Sequence, residues 1–230
     1  MADSYLQGLR IRATRLDDCG APVFGPCGTV VSKGFVNINL SVQETNPTEI
    51  APVLADGSRC YYIQTAKLLN NIQASLEFCE VDPELFEMMT GSPLVLDDAT
   101  VPKAQGFVTD SQVYGLANVA LEVWTNLARG GCGVPGGRRW GYYLLPWLYQ
   151  GTVSKPTIEN GAVNFTVNEA VTRDGNQWGV GPYDIQMTSG STPEPSPLFE
   201  PLTSTTHDLL YKVNMAPPAP TEGCVPLVAA

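Results

Sequence analysis

Apolar and polar residues alternate with period two over several separate stretches of this chain, and between Leu68 and Gly91 the period changes once. Ile72, Ala74, Leu76 and Phe78 fall on one side, and Gln73, Ser75, Glu77 and Cys79 on the other. That alternation predicts a strand with one buried and one wet face. Asp82 then suits an N-cap, Pro83 the first helical position, and Glu84 adds negative charge to the first turn. Leu85, Phe86, Met88 and Met89 supply an apolar side, and Gly91 with Ser92 and Pro93 ends it. The pattern predicts a long strand running directly into one short helix over about residues 82–90. From Leu68 to Pro102 the chain has seven acids (Glu77, Glu80, Asp82, Glu84, Glu87, Asp97, Asp98) and no Lys or Arg. An acidic strand face therefore adjoins an acidic helix start.

Further alternation predicts further strands. In Leu9–Leu16, Leu9, Ile11 and Ala13 alternate with Arg10, Arg12 and Thr14, and Arg15 follows. Such a basic N-terminal arm suits pairing with an acidic surface, its own or a neighbour's, or else a solvated edge strand guarded by charge. Val36, Ile38, Leu40 and Val42 oppose Asn37, Asn39, Ser41 and Gln43. Val119, Leu121, Val123 and Leu127 oppose Ala120, Glu122, Trp124 and Asn126. Tyr142–Gln150 is broadly apolar, and Pro146 within it predicts an edge or a bulge. Val163, Phe165 and Val167 oppose Ala162, Asn164, Thr166 and Asn168, after a turn at Asn160-Gly161. Shorter strands are expected at Arg59–Ala66, Leu94–Leu96, Gly106–Val108 and His207–Val213. Glu44–Gly57 has two prolines and little periodicity and reads as a long loop.

With 230 residues, 22 Gly and 19 Pro, these segments predict a mainly β protein with many turns, a sandwich with one flanking helix. A single domain over residues 1–230 is expected, with an N-terminal arm (1–18), the loop (44–57) and a proline-rich tail (214–230). That tail cannot form regular structure alone, and a neighbouring subunit is the natural candidate to hold it. A formal charge of −10 and a pI near 4.5 argue against ordinary nucleic-acid binding, which needs Lys and Arg on phosphates. The first twelve residues lack the apolar core of a signal peptide, and the longest apolar run is too short to span a bilayer. A soluble protein made in a cytosol-like compartment is expected.

Six cysteines at irregular spacings include no CxxC pair, which removes the usual metal-ligand spacing. Free thiols are one reading, and a bridge between Cys19 and Cys27 across a Gly/Pro-rich loop is the other. Catalytic chemistry is thin. The G-x-G-x-x-G at Gly131, Gly133 and Gly136 contains Pro135, and no helix is expected after it. His207 is the single histidine, at the start of a strand, where surface or capping roles suffice. The pairs Asp17/Asp18 and Asp97/Asp98 sit in turn-like sequence. The expectation is a non-enzyme with no catalytic residue, no cofactor and no metal. What remains is a set of strands whose wet faces are uncharged-polar or acidic. They are either the solvated faces of a sandwich or the lining of a channel closed by several subunits.

RATRLDDCGAPVFGPC, LEFCEVDPELFEMMTG, ALEVWT, YYLLPWL, ENGAVNFTVNEAVTRDGNQWGVGPYDI and HDLLYKVNMAPPAP occur in that order along nearly the whole chain. In this ordered set the chain resembles the major tail proteins of long-tailed actinobacterial phages. Glu44–Ala66 and the final VPLVAA lie outside the match. The resemblance implies a β-sandwich of the phage tail-tube type, forming homo-hexameric rings that stack head to tail into a hollow tube. Genomic DNA would pass through it without specific binding, and the protein would not insert into a membrane. A tape measure protein, a tail tip and a tail terminator would be partners, with assembly in the host bacterial cytoplasm and residence in the virion tail. The implied lumen lining is Gln73, Ser75, Glu77, Asn164, Thr166 and Asn168. The implied subunit contacts are Arg10, Arg12, Arg15 and, on the helix, Leu85, Phe86, Met88 and Met89, which pack on the sheet or a neighbour. The loop Glu44–Gly57, the N-terminal arm and the tail would join ring to ring. Two other classes remain: a β-sandwich adhesin or capsid decoration module, and a hydrolase whose acids hide at Asp97 or Asp98.

Overall fold

The computed structural model describes residues 5–100, 102–111, 117–127, 140–154 and 164–228. The first alternating run forms β1 (Tyr5–Arg15), followed by β2 (Gly25–Ser32) and β3 (Phe35–Glu44). A narrow ladder of β4 (Glu49–Ile50) and β5 (Ile63–Gln64) leads back to β6 (Leu69–Phe78), which runs into α1 (Pro83–Thr90). A hairpin of β7 (Leu94–Leu96) and β8 (Ala104–Phe107) precedes β9 (Asn118–Leu127), β10 (Trp140–Tyr149), β11 (Thr152–Val153) and β12 (Phe165–Thr172). The C-terminal part adds β13 (Gln186–Met187), β14 (Pro195–Ser196), β15 (Leu209–Val213) and β16 (Val225–Leu227). The protein is mainly β, with one large antiparallel sheet, an arrangement consistent with a β-sandwich.

One antiparallel sheet runs in the order β16-β2-β1-β9-β10-β12-β6-β3, with β11 on β12 and β15 on β10. Its two halves share a core in which Ile11, Val30, Leu121 and Val123 meet Leu76, Phe78 and Val167. The corner is β10. Trp140 to Leu144 pair with β15, Leu148 and Tyr149 pair with β12, and the pairing with β9 shifts register between Leu145 and Leu148. Pro146 falls in that shift, where a missing N–H costs no ladder bond. So the proline marks a bulge of an inner strand and not an edge.

The outer face of β9 and β10 is covered as well. Trp124, Tyr142, Leu144 and Trp147 pack against Trp178, Ile185 and Leu198 of the C-terminal segment in a second core. Both faces of β9 are consequently buried, although its alternation reads as one apolar and one mixed face.

α1 is built locally. Asp82 accepts from the N–H groups of Glu84 and Leu85, and Gly91 closes the helix in the left-handed region at φ 73°. Leu85, Phe86, Met88 and Met89 are all buried against the chain's own sheet. Phe86 stands among Phe78, Phe107 and Phe165 at ring separations of 5.4, 5.3 and 6.1 Å. A side chain at Gly151 would come within 2.6 Å of the Met89 carbonyl oxygen, so the turn into β11 passes directly over the helix end.

Four expectations change. The N-terminal stretch is an inner strand, bonded to β2 on one edge and β9 on the other, and its polar face is covered as well, with Arg12 paired to Glu122 of β9. The C-terminal tail is held by its own chain through β16 on β2 and a disulfide. That disulfide joins Cys27 to Cys224, and Cys19 is free and exposed, since the Cys19–Cys27 loop places Cys27 on a strand beside the tail. Arg59–Ala66 contributes only the two residues of β5 and an isolated bridge at Arg59. The glycine-rich segment with Gly131, Gly133 and Gly136, and the Asn160-Gly161 turn with Ala162 and Val163, lie outside the described residues.

Candidate functional site

The sheet half made of β3, β6, β12 and β11 carries one continuous polar face. Register sets Asn37, Asn39 and Ser41 of β3 opposite Glu77, Ser75 and Gln73 of β6, and Thr166 of β12 opposite Glu77 on the other side. Side-chain bonds tie the rows together. Asn164 Nδ2 donates to Glu77 Oε1 at 2.8 Å, Asn168 Nδ2 donates to Ser154 Oγ at 2.5 Å, and the Ser75 hydroxyl donates to the Asn168 carbonyl oxygen. All six residues expected to line a channel, Gln73, Ser75, Glu77, Asn164, Thr166 and Asn168, are thus brought together.

None of these four strands contains a Lys or Arg, while Glu44, Glu77 and Glu169 supply negative charge. Among the described residues, β3 has β6 as its single partner, and β11 has β12. The face is therefore bounded by two strand edges with unmade backbone bonds, the arrangement that invites pairing with another chain. The apolar side of β3 is also only partly covered, with Val36 and Val42 exposed by 53% and 59%.

β3 and β6 extend beyond the sheet. The Thr45 N–H donates to Leu68 O, the pair at Glu49 and Gln64 follows, and Val53 bridges Arg59 near a turn closed by Leu54 and Ser58. What reads as a loop is a narrow two-stranded arm. Ile50, Val53, Leu54, Tyr61, Tyr62 and Ile63 are exposed along it. So dense a set of exposed apolar side chains on one projection is uncommon on a lone chain. Lys67 bonds Glu44 at 2.7 Å near its base, an exposed pair of little energetic weight.

The expected subunit-contact residues divide. Arg12 is buried and gives a bidentate pair to Glu122 of β9, Nε to Oε2 at 2.5 Å and Nη2 to Oε1 at 2.6 Å. Tyr142 donates to the same carboxylate at 2.7 Å, and the Arg12 guanidinium lies 3.3 Å from the ring centre of Tyr183. Burial opposes the Arg12 charge, but the Glu122 carboxylate outweighs it and raises the Arg12 pKa. Burial, with Glu122 assisting, pushes the Tyr142 hydroxyl well above its usual range. Arg15 pairs with Glu87 of α1 at 2.5 Å, half-exposed. Leu85, Phe86, Met88 and Met89 are enclosed in the first core, where a neighbour could reach them only by opening the chain. Arg10 is partly exposed beside Trp140, Pro217 and Pro218. Sequence reasoning missed Glu122 as Arg12's partner. The available signal was a lone acid inside the apolar run VALEVW.

The other chemical candidates have structural work. Asp97 accepts from the N–H groups of Lys103 and Ala99 and from Gln105, and these bonds, Lys103's first, lower its pKa. Asp17 closes a turn by accepting from the N–H groups of Cys19 and Ala21. His207 Nδ1 shares a hydrogen bond with the Thr172 hydroxyl at 2.8 Å. Among the described residues no cluster of His, Cys, Asp or Glu could hold a metal ion, and no helix is long and apolar enough to cross a membrane. No protein-family model and no curated protein matches the chain.

Proposed function

We propose that the chain is a structural virion protein, the subunit of a phage tail tube, as its ordered motifs suggest. Six copies form a ring, rings stack into a hollow tube, and the polar face of β3, β6, β12 and β11 lines the bore through which DNA passes. The observation that carries this reading is the absence of any Lys or Arg from that face. Cationic side chains in a bore would bind phosphates and hold back moving DNA, whereas amide, hydroxyl and carboxylate groups give it nothing to hold. The two unpaired edges suit a ring, because edge joined to edge around a circle leaves none exposed. The projecting arm suits contact with the next ring. Tape measure, tip and terminator proteins belong to the same proposal.

Glu77→Lys, alone and with Ser75→Lys, tests the face directly. Tubes of normal length should form, since these side chains point away from both cores, and DNA ejection should slow. Unchanged ejection from tubes carrying both lysines would remove this face from the bore.

The exposed Tyr61 and Tyr62 favour a second reading, an adhesin or capsid decoration module that binds through its arm. That reading predicts compact monomers or trimers and no tube.

A further inference from the structure

The C-terminal segment is fastened covalently at one place and by few contacts elsewhere. Cys224 is disulfide-bonded to Cys27 with Cα atoms 4.8 Å apart, across a sequence separation of 197 residues. Beside the bond, Val225 pairs with Thr29 and Leu227 with Gly25, with a register shift between them. Thr221 donates its N–H to Val31 O at 2.9 Å and accepts from the Val31 N–H at 3.0 Å, and the Cys224 N–H donates to the Glu84 carboxylate. Of β16 itself, only Leu227 is fully buried. Among the described residues β16 is also the last strand of the sheet, and together with Thr221 it covers the outer edge of β2.

We propose that Cys27 and Cys224 form a redox latch that decides whether β16 caps β2. Oxidised, the bond holds residues 214–228 in place. Reduced, that segment detaches and leaves the outer edge of Gly25–Ser32 open to pair with another strand. A short strand with a broken register is a weak hold, whereas a bond closing so long a loop removes much of the freedom that a detached tail would gain. Both cysteines are partly exposed, although Cys224 also packs against the first core, and exchange with small thiols and disulfides proceeds through that exposed part. The closing step is exchange with a small-molecule disulfide. One Cys thiolate attacks it, forming a mixed disulfide and releasing one thiolate. The other Cys thiolate then attacks the protein sulfur and releases the second. The protein pair loses two electrons and the small disulfide gains them. A reducing compartment keeps the latch open, and an oxidising one closes it.

Release would also remove one wall of a cleft of about 490 Å³, formed by Pro220 to Gly223 opposite Lys33, Asp82 and Lys103. The inference stands on this chain's own contacts and does not depend on the tail-tube reading.

Hydrogen exchange read by mass spectrometry, on the full chain in oxidised glutathione and in dithiothreitol, tests it. Reduction should speed exchange at least about tenfold across 221–228 and at the β2 amides facing them, and leave β6 and β9 unchanged. Cys224→Ser should show the fast exchange without reductant, and dithiothreitol should add nothing in Cys27→Ser/Cys224→Ser. Continued protection of 221–228 in the reduced protein would overturn the latch. So would loss of protection throughout β6 and β9, which would make the bond a staple of the whole fold. Six titratable thiols in the protein kept in oxidised glutathione would also overturn it.

Discussion

Arg12 and Glu122 face each other in register on β1 and β9, so a change at either one strands a charge inside an apolar core. Glu122→Gln or Arg12→Met should each cost about 3–5 kcal/mol, read as a lower urea midpoint. Arg12→Met with Glu122→Leu should cost less than either alone, because the stranded charge is gone. A double variant as damaged as the sum of the singles would contradict this. The pair was half legible. Alternation in GLRIRATR marks Arg12 as facing away from Ile11 and Ala13, but period two does not distinguish water from a buried carboxylate on that side. The disulfide was less legible still. Cys27 meets Cys224 because β16 returns to β2, and a three-residue strand in a proline-rich tail leaves no periodic trace.

α1 was readable almost to the residue because its signals are local, with an N-cap at Asp82, Pro83 behind it and a left-handed Gly91. Asp82→Ala should lower stability by about 1 kcal/mol, and Phe86→Ala, which empties the centre of three ring contacts, by about 3–5 kcal/mol. Both are measurable by urea denaturation. The hairpin of β7 and β8 carries a pH dependence. Asp97 is held below its ordinary value of 3.8 by bonds that exist only in the folded hairpin. Its contribution is complete above that value and is lost as pH falls through the lowered one. Exchange at the Lys103 amide should therefore quicken in that acidic window, and Asp97→Asn should remove the change. The arm was misread as a loop for a physical reason. Its ladder is two residues long, both its faces are exposed, and no burial imposes a period on residues 45–68.

At the scale of the molecule, strand faces were readable and the sheet order was not. Alternation located β3, β6, β9 and β12 and put the six polar candidates on one face. It could not show that the C-terminal segment covers the other side of β9 and β10, which made Glu122 and Trp124 look wet. The proposed assembly divides the chain into a folded body and an arm with separate tasks. Replacing residues 46–67 by an Asn-Gly turn should leave the urea midpoint nearly unchanged, since the exposed arm adds nothing to either core. The same replacement should abolish stacking. A large loss of stability would instead assign the arm to the body. The most direct test of the tail-tube proposal is negative-stain electron microscopy of the concentrated, purified protein, alone and with tail tips added. The account predicts rings with a central hole, stacked into tubes. Small, discrete particles that fail to grow even on tail tips would contradict it.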